Sequence, residues 1–275
     1  MRPLAALLTP LGLALLLALG TTGVPATPAN AAAAAVEPLP EGTDVDYQLG
    51  GPASRPTHVG IIARDRRASP VAGRYNICYV NGFQTQPDEK AFWLKRRGLL
   101  LKKNGKPVVD ENWGEWLLDV RTAKKRTRLA RIVGRWIDGC ARDGFQGVEF
   151  DNLDSFSRSR GLLKRKQTLF FARMLIRRAH RAGLAAGQKN LAGFDGTGIG
   201  FDFAVAEECG QYHECRSYVR HFGTQVVMIE YRDAGFRRAC RQFGATHAIV
   251  RRDLDLRPSF MPRYCVRAGV ATLGD

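Results

Sequence analysis

Eight short apolar runs, separated by amphipathic basic segments or long loops, constrain this chain more than any other feature. They are DYQL (46–49), VGIIAR (59–64), NICYVNG (76–82), GVEFDN (147–152), LAAGQKN (184–190), FDFAVAEE (201–208), VVMIEY (226–231) and HAIVRRD (247–253). Runs spaced this way read as parallel strands joined by crossovers. Eight is the number that closes a (β/α)8 barrel, and 275 residues suffice for one. The helical period is clearest between 121 and 143, where Leu129, Ile132, Val133, Trp136, Ile137 and Cys140 recur three to four residues apart with Lys and Arg opposite. Residues 162–182 repeat the pattern with Phe170, Phe171, Met174 and Leu175. Gly144 and Gly183 follow these helices, where a left-handed terminal residue is wanted. Residues 84–120 break the alternation and are predicted to hold an extra short strand or a lid. An open doubly wound sheet is the alternative, but no GxGxxG or GxxxxGKS loop follows any run.

The barrel, expected over 45–275, needs neither end of the N-terminal stretch. Residues 1–31 read as a secretory signal peptide, with Arg2, a Leu/Ala-rich run and an ANA site at 29–31, so cleavage is expected near Ala31 and export with it. Residues 32–44 read as an Ala/Pro/Gly-rich flexible linker. No later run is long enough to span a membrane. Six cysteines in an exported chain favour disulfides over metal. Cys209 and Cys215 are close enough to pair. Cys78–Cys140 with Cys240–Cys265 is one of the fifteen connectivities that six cysteines allow.

The net charge is +16, which suggests an anionic partner. The basic residues sit mainly in helical stretches such as AKKRTRLAR and LLKRKQ, without a nucleic-acid-binding motif. They read as a solvated basic face, with no specific nucleic-acid site.

Several runs end in polar residues that a buried strand does not need: Asn81, Asp151 with Asn152, Gln188-Lys189-Asn190, Glu207-Glu208, Glu230-Tyr231 and Arg252-Asp253. In a parallel barrel these ends meet at one face, where active sites assemble. No GxSxG is present, and the five histidines lie where none closes a triad. Carboxylates, amides and aromatics (Tyr47, Phe83, Trp93, Tyr212, Tyr231) dominate instead. Paired carboxylates suit glycosidic bonds, and amides with aromatic faces suit hydroxyl-rich rings. Within GVEFDNLDSF, Glu149 and Asp151 share one strand face and Val148 and Phe150 the other. Glu149 is expected to be a buried support, paired with Lys189 or Arg252. Asp154 is placed either against substrate or as a helix cap. In FDFAVAEE, parity with Asp202, Ala204 and Ala206 points to Glu208 as the second acid, although strand ends often bulge.

DYQLGG, CYVNGFQTQP, GVEFDNLDSF, GQKN, FDFAVAEEC followed by YHEC, and IEY together resemble glycoside hydrolase family 114, the endo-α-1,4-polygalactosaminidases, in its secreted actinobacterial branch. The likeness runs from about Asp46 to the C-terminus. It implies a (β/α)8 barrel with catalytic Asp151 and Glu207, the latter against the parity reading. By analogy with related barrel glycosidases, Asp151 is the nucleophile and Glu207 the acid/base. Candidate substrate contacts are Asp46, Tyr47, Gln48, Asn81, Asn152, Asp154, Gln188, Lys189, Asn190, Glu230 and Tyr231. No metal or cofactor is called for, and a monomer is expected. The family often has proline at Phe150 and asparagine at Ala206. A galactosamine polymer is cationic when deacetylated, so a strongly basic enzyme needs an acidic mouth, or a neutral, acetylated or anionic substrate. Two rival readings are a non-catalytic polysaccharide-binding barrel and a metal-dependent phosphoesterase using the acidic cluster.

Overall fold

The computed structural model describes residues 35–266; the expected signal peptide lies outside the described residues. All eight apolar runs become parallel strands of one sheet: β1 (Asp44–Gln48), β2 (Val59–Asp65), β3 (Tyr75–Asn81), β4 (Gly147–Asp151), β5 (Ala185–Lys189), β6 (Phe203–Glu207), β7 (Val226–Glu230) and β8 (Ala248–Arg251). They pair in sequence order, and a short antiparallel β9 (Arg263–Tyr264) extends β8. The sheet curls into a nearly closed barrel. Side chains stitch the seam between β1 and β8. The fully buried Arg252, just beyond β8, donates to Asp46 Oδ1 at 2.6 Å and to the Tyr47 carbonyl.

Two apolar clusters divide the strand residues by parity, as a period of two requires. Val45, Tyr47, Ile61, Ile77, Phe203, Val205, Val227, Ile229 and Val250 fill the barrel. Cys78, Val80, Val148, Phe150, Ala204, Ala206, Met228 and Ile249 face outward, against the helices. The Phe203 ring occupies space that Gly187 leaves open: a Cβ there would lie 2.5 Å from two ring carbons. Gly187→Ala is therefore expected to cost roughly 1–3 kcal/mol through overpacking, read as a lower midpoint of thermal unfolding.

Helix α1 (Lys90–Leu94) belongs to the irregular 84–120 segment, which also carries two small antiparallel ladders, Lys102–Lys103 with Lys106–Pro107 and Val109–Asp110 with Glu115–Trp116. Helix α2 (Ala123–Asp143) starts at Thr122, whose side chain accepts from Lys125 N, and stops at Gly144, at φ 95°. It buries Leu129, Ile132, Val133, Ile137 and Cys140. Helices α3 (Ser155–Arg158) and α4 (Arg165–Arg181) follow β4. Phe171 and Leu175 of α4 are buried, but Phe170, expected on the same face, points outward and is 49% exposed. Helices α5 (Cys215–Phe222) and α6 (Asp233–Phe243) complete the layer.

Disulfides join Cys78–Cys140, Cys209–Cys215 and Cys240–Cys265. They tie β3 to α2, brace the loop after β6, and fasten the segment after β9 to α6. In the described part of the segment read as a linker, Leu39 is buried in the barrel-interior cluster and exchanges hydrogen bonds with Gln225. Val36, the other large apolar side chain of this stretch, packs partly buried against the same cluster.

Candidate active site

The C-terminal strand ends open into a cavity of about 480 Å³. Three successive strands deliver a charged residue to it and then turn away: Asp151, Lys189 and Glu207 each precede a residue in the left-handed region, Asn152 (φ 66°), Asn190 (φ 52°) and Glu208 (φ 53°). Asparagine tolerates that conformation better than most residues. The barrel-facing residues of β6 are Phe203, Val205 and Glu207, so parity selects Glu207, and its register with Ile229 is unbroken. The parity reading that favoured Glu208 mistook the helix-facing alanines for the interior set.

Lys189 is the hub. Its ammonium lies 3.4 Å from Asp151 Oδ1, 3.4 Å from Glu207 Oε2 and 3.8 Å from Glu149 Oε1. It donates to the Tyr47 hydroxyl at 2.8 Å, and that hydroxyl donates to Glu149. Burial acts to lower the Lys189 pKa, but Asp151, Glu207 and Glu149 outweigh it and hold the value well above the ordinary range. Lys189 is therefore a fixed cation between two carboxylates. Glu149 has the expected supporting place, with Lys189 as its partner; Arg252 serves Asp46 instead.

Each facing carboxylate has its own donors. Asp151 accepts from Tyr79 Oη at 2.7 Å and from Asn152 N at 2.7 Å. Glu207 accepts from Tyr231 Oη and from Asn190 Nδ2, the latter at 3.2 Å, while Asn190 Oδ1 receives Glu207 N at 2.9 Å. Burial, then the carboxylate each one serves, pushes Tyr79 and Tyr231 well above the usual phenol value. Both stay proton donors across ordinary pH.

Of the remaining candidates, Tyr47, Asn152, Asp154, Lys189, Asn190 and Tyr231 line the cavity, and Asp46, Gln48, Asn81, Gln188 and Glu230 do not. The second group supports the walls. Asp46 is held by Arg252, Arg55 and Gln48. Gln48 also bonds Ala53 O, and Gln188 Nε2 bonds the carbonyls of Asn190 and Leu191. Asn81 gives its amide to Glu115 and accepts from Gln84 N. Glu230 accepts from Gly210 N at 2.5 Å, in the loop that follows Glu207. A Cβ on Gly235 would meet its other oxygen at 2.3 Å. Asp154 stands at the N-cap position of α3, but its side chain makes no capping bond there and instead makes two bonds to Arg158, at 2.8 and 2.7 Å.

The sequence reading missed Tyr79, Asp110, Trp113, Glu115 and Arg158, all of which line the cavity. Three come from the irregular 84–120 segment, in its acid- and tryptophan-rich stretch DENWGEW (110–116). Of the aromatics expected near the site, Phe83 and Trp93 are fully buried away from the cavity, and Tyr212 is exposed outside it.

Burial, as the leading cause, raises the carboxyls of Glu115, Glu149 and Glu230 to about 7 from 4.5. Between those values the folded chain holds protons that the unfolded chain has released, so stability falls as pH rises through that window. Asp65, Asp119 and Asp253 move the other way: hydrogen bonds from Arg67, Arg121 with Lys125, and Arg257 outweigh burial and lower them below 3.8. Their contribution is lost in acid. The thermal midpoint should therefore peak near pH 4, between the two windows, and fall by several degrees by about pH 7. Glu230→Gln, which cannot ionise, should flatten that fall; an unchanged slope would remove Glu230 from the explanation.

Residues 25–270 match the model of glycoside-hydrolase family GH114. No curated protein matches the chain. Among solved structures, Aspergillus fumigatus Ega3, in complex with galactosamine, is 24% identical, with a TM-score of 0.65 over 85% of this chain and 98% of that one. A variant of the glycoside hydrolase domain of PelA from Pseudomonas aeruginosa is 15% identical, with a TM-score of 0.56 over 80% and 98% of the two chains.

Proposed function

The chain belongs to glycoside-hydrolase family GH114, and on that premise we propose that it is an exported, endo-acting glycosidase cleaving α-1,4-linked galactosamine-containing polysaccharide. The observation that carries the reading is the pair Asp151 and Glu207, facing one another across the Lys189 ammonium. Glu207 gives its proton to the leaving glycosidic oxygen while Asp151 attacks the anomeric carbon. Water, deprotonated by Glu207, then releases the glycosyl group from Asp151. Tyr79 and the Asn152 amide aim the nucleophile; Tyr231 and Asn190 aim the acid. The binding-barrel alternative has no use for two carboxylates oriented in this way.

The facing oxygens each lie 3.4 Å from Lys189 Nζ, so they are at most twice that, 6.8 Å, apart. That ceiling suits the ~5–5.5 Å spacing of retaining enzymes and leaves only the narrow end of the roughly 6.5–9.5 Å inverting range. Proton NMR of freshly released reducing ends should show the α-anomer first, converting later to the equilibrium mixture. A β-anomer first would assign inversion.

Charge supports an amino sugar. Besides the catalytic pair, the cavity is lined by Asp110, Glu115, Asp154 and Asp255. Its two cations are engaged, Lys189 as described and Arg158 by Asp110 and Asp154. The mouth of this basic protein is thus acidic, which removes the electrostatic objection to a cationic polymer. The cavity adjoins a second depression of about 370 Å³ that shares Leu49, Tyr79 and Glu115 with it. A cleft that continues past the carboxylates suits binding within a chain. Three disulfides accord with an oxidising, extracellular compartment.

The test is reducing-end release from a polysaccharide panel that includes partly deacetylated galactosaminogalactan, an acetylated form and an anionic polymer, with and without chelator. Release from the deacetylated polymer, indifferent to chelator, is expected. Reducing-end release that chelator abolishes would replace the two-carboxylate mechanism with a metal-dependent one, chelator-sensitive phosphate-monoester release from the anionic polymer without reducing ends would favour the phosphoesterase, and no release from any polymer would sink the glycosidase reading.

A further inference from the structure

The excess positive charge is concentrated on two neighbouring helices. Helices α2 and α4 carry thirteen Lys and Arg against two Asp, a net of +11 within the chain's +16. Between them runs a groove of about 420 Å³, lined by Arg131, Arg135, Arg177, Arg178 and Arg181 over a floor of Ala130, Gly134 and Met174. It shares no residue with the catalytic cavity.

The fold alone does not account for this placement. Lys and Arg occupy the first turns of both helices, and neither first turn holds an acid. The helix dipole disfavours cations in those first turns; in the groove it favours only Arg178 and Arg181, in the last turn of α4. Arg131, Arg135, Arg177 and Arg181 are exposed, and none of their guanidinium groups forms an ion pair or hydrogen bond with a described residue. Four such cations beside one another repel, and an external anion would relieve that repulsion. Arg178 is the exception. It lies across Gly134, where a Cβ would be 3.6 Å from its Cγ, and Asp138 holds its guanidinium through Nε at 2.6 Å. The same helix pair exposes Phe170, with Arg126 5.5 Å from its ring centroid.

We propose that this groove docks a linear polyol-phosphate polymer, holding the enzyme on an anionic extracellular matrix while the acidic mouth stays free for a cationic glycan. All five groove cations are arginines, whose planar fork matches phosphate oxygens in pairs. The disulfides place the folded chain where phosphate polymers of the cell exterior, rather than intracellular nucleic acid, are the polyanions at hand. A phosphate polymer is repelled by the mouth and attracted by the groove, so the two sites do not compete for it.

The test compares three forms of the 32–275 protein: wild type; Arg131, Arg135, Arg177 and Arg181 all changed to Gln; and a control with Lys103, Lys106, Arg216 and Arg220 changed to Gln, which loses the same charge from other faces. Affinity for synthetic poly(glycerol phosphate) is measured by fluorescence anisotropy across salt concentrations, and thermal unfolding checks that each protein folds. The groove variant should bind at least ~10-fold more weakly. Its log–log salt slope should be shallower by about 3, four contacts at roughly 0.7 each. The control should stay within about twofold of wild type. Equal losses in both variants would reduce the groove to undirected net charge. Tighter binding of duplex DNA than of poly(glycerol phosphate), at equal phosphate concentration, would overturn the assignment of its occupant.

Discussion

Asp151→Asn should abolish polymer cleavage, with kcat reduced by roughly 10⁴-fold or more, while the protein folds with little change in thermal midpoint. The amide keeps the shape of the carboxylate and an acceptor for the Asn152 N–H, but it cannot form the glycosyl ester. Glu207→Gln should cost roughly 10²–10⁴-fold on the polymer, the range for losing a general acid. Substrate choice then separates the two roles. An activated aryl galactosaminide has a leaving group that needs little protonation, so the first step should survive in Glu207→Gln and appear as a burst of released phenol. Asp151→Asn should show no burst with the same compound. The reverse pattern would exchange the assignments, and full activity in either variant would move the chemistry to other groups.

The architecture was legible because eight apolar runs alternate with helical periodicity, and that pattern leaves few ways to bury every strand. Which strand face looks inward was less legible. In β6 both faces are buried, so Phe203 and Val205 on one side and Ala204 and Ala206 on the other are equally apolar. Alternation carries no sign in such a strand, so parity pointed to Glu208 where the family resemblance pointed to Glu207; the left-handed turn at Glu208 marks where the strand ends.

The candidate site was half legible for a related reason. Asp46, Gln48, Gln188 and Glu230 stand at strand ends like Asp151, Lys189 and Glu207, but their hydrogen bonds go to loops and to buried arginines. A polar residue leaving a buried strand needs a partner, and the sequence does not say whether that partner is backbone or substrate. Glu115, Asp110 and Trp113 were hidden because they reach the mouth from a segment outside the β/α alternation. Their approach depends on Asn81, Asn152 and Gln84, whose amides bind Glu115 and Asp110 across the gap.

Lys189→Met tests whether the buried ammonium is only a counterion for the fold. Its removal leaves Glu149, wholly buried, with the Tyr47 hydroxyl but no cation, a loss expected to cost about 3–5 kcal/mol of stability. A second substitution, Glu149→Gln, removes the stranded acid while keeping an oxygen to accept from Tyr47, so the double variant should recover most of the lost thermal midpoint. Activity should not recover with it. Asp151 and Glu207 would still face each other without the charge that lies 3.4 Å from each, and their separation would no longer be fixed from below. The double variant should therefore remain about 10²–10³-fold below wild type in kcat, the scale seen when one preorganised electrostatic partner is removed from an active site. Lys189→Arg restores the charge with a planar fork that does not fit a point-charge position, and it should fall between the two. A double variant that regained both stability and near-wild-type kcat would show that the ammonium serves the fold alone, and that Tyr79, Tyr231 and Asn190 suffice to hold the two carboxylates in working register.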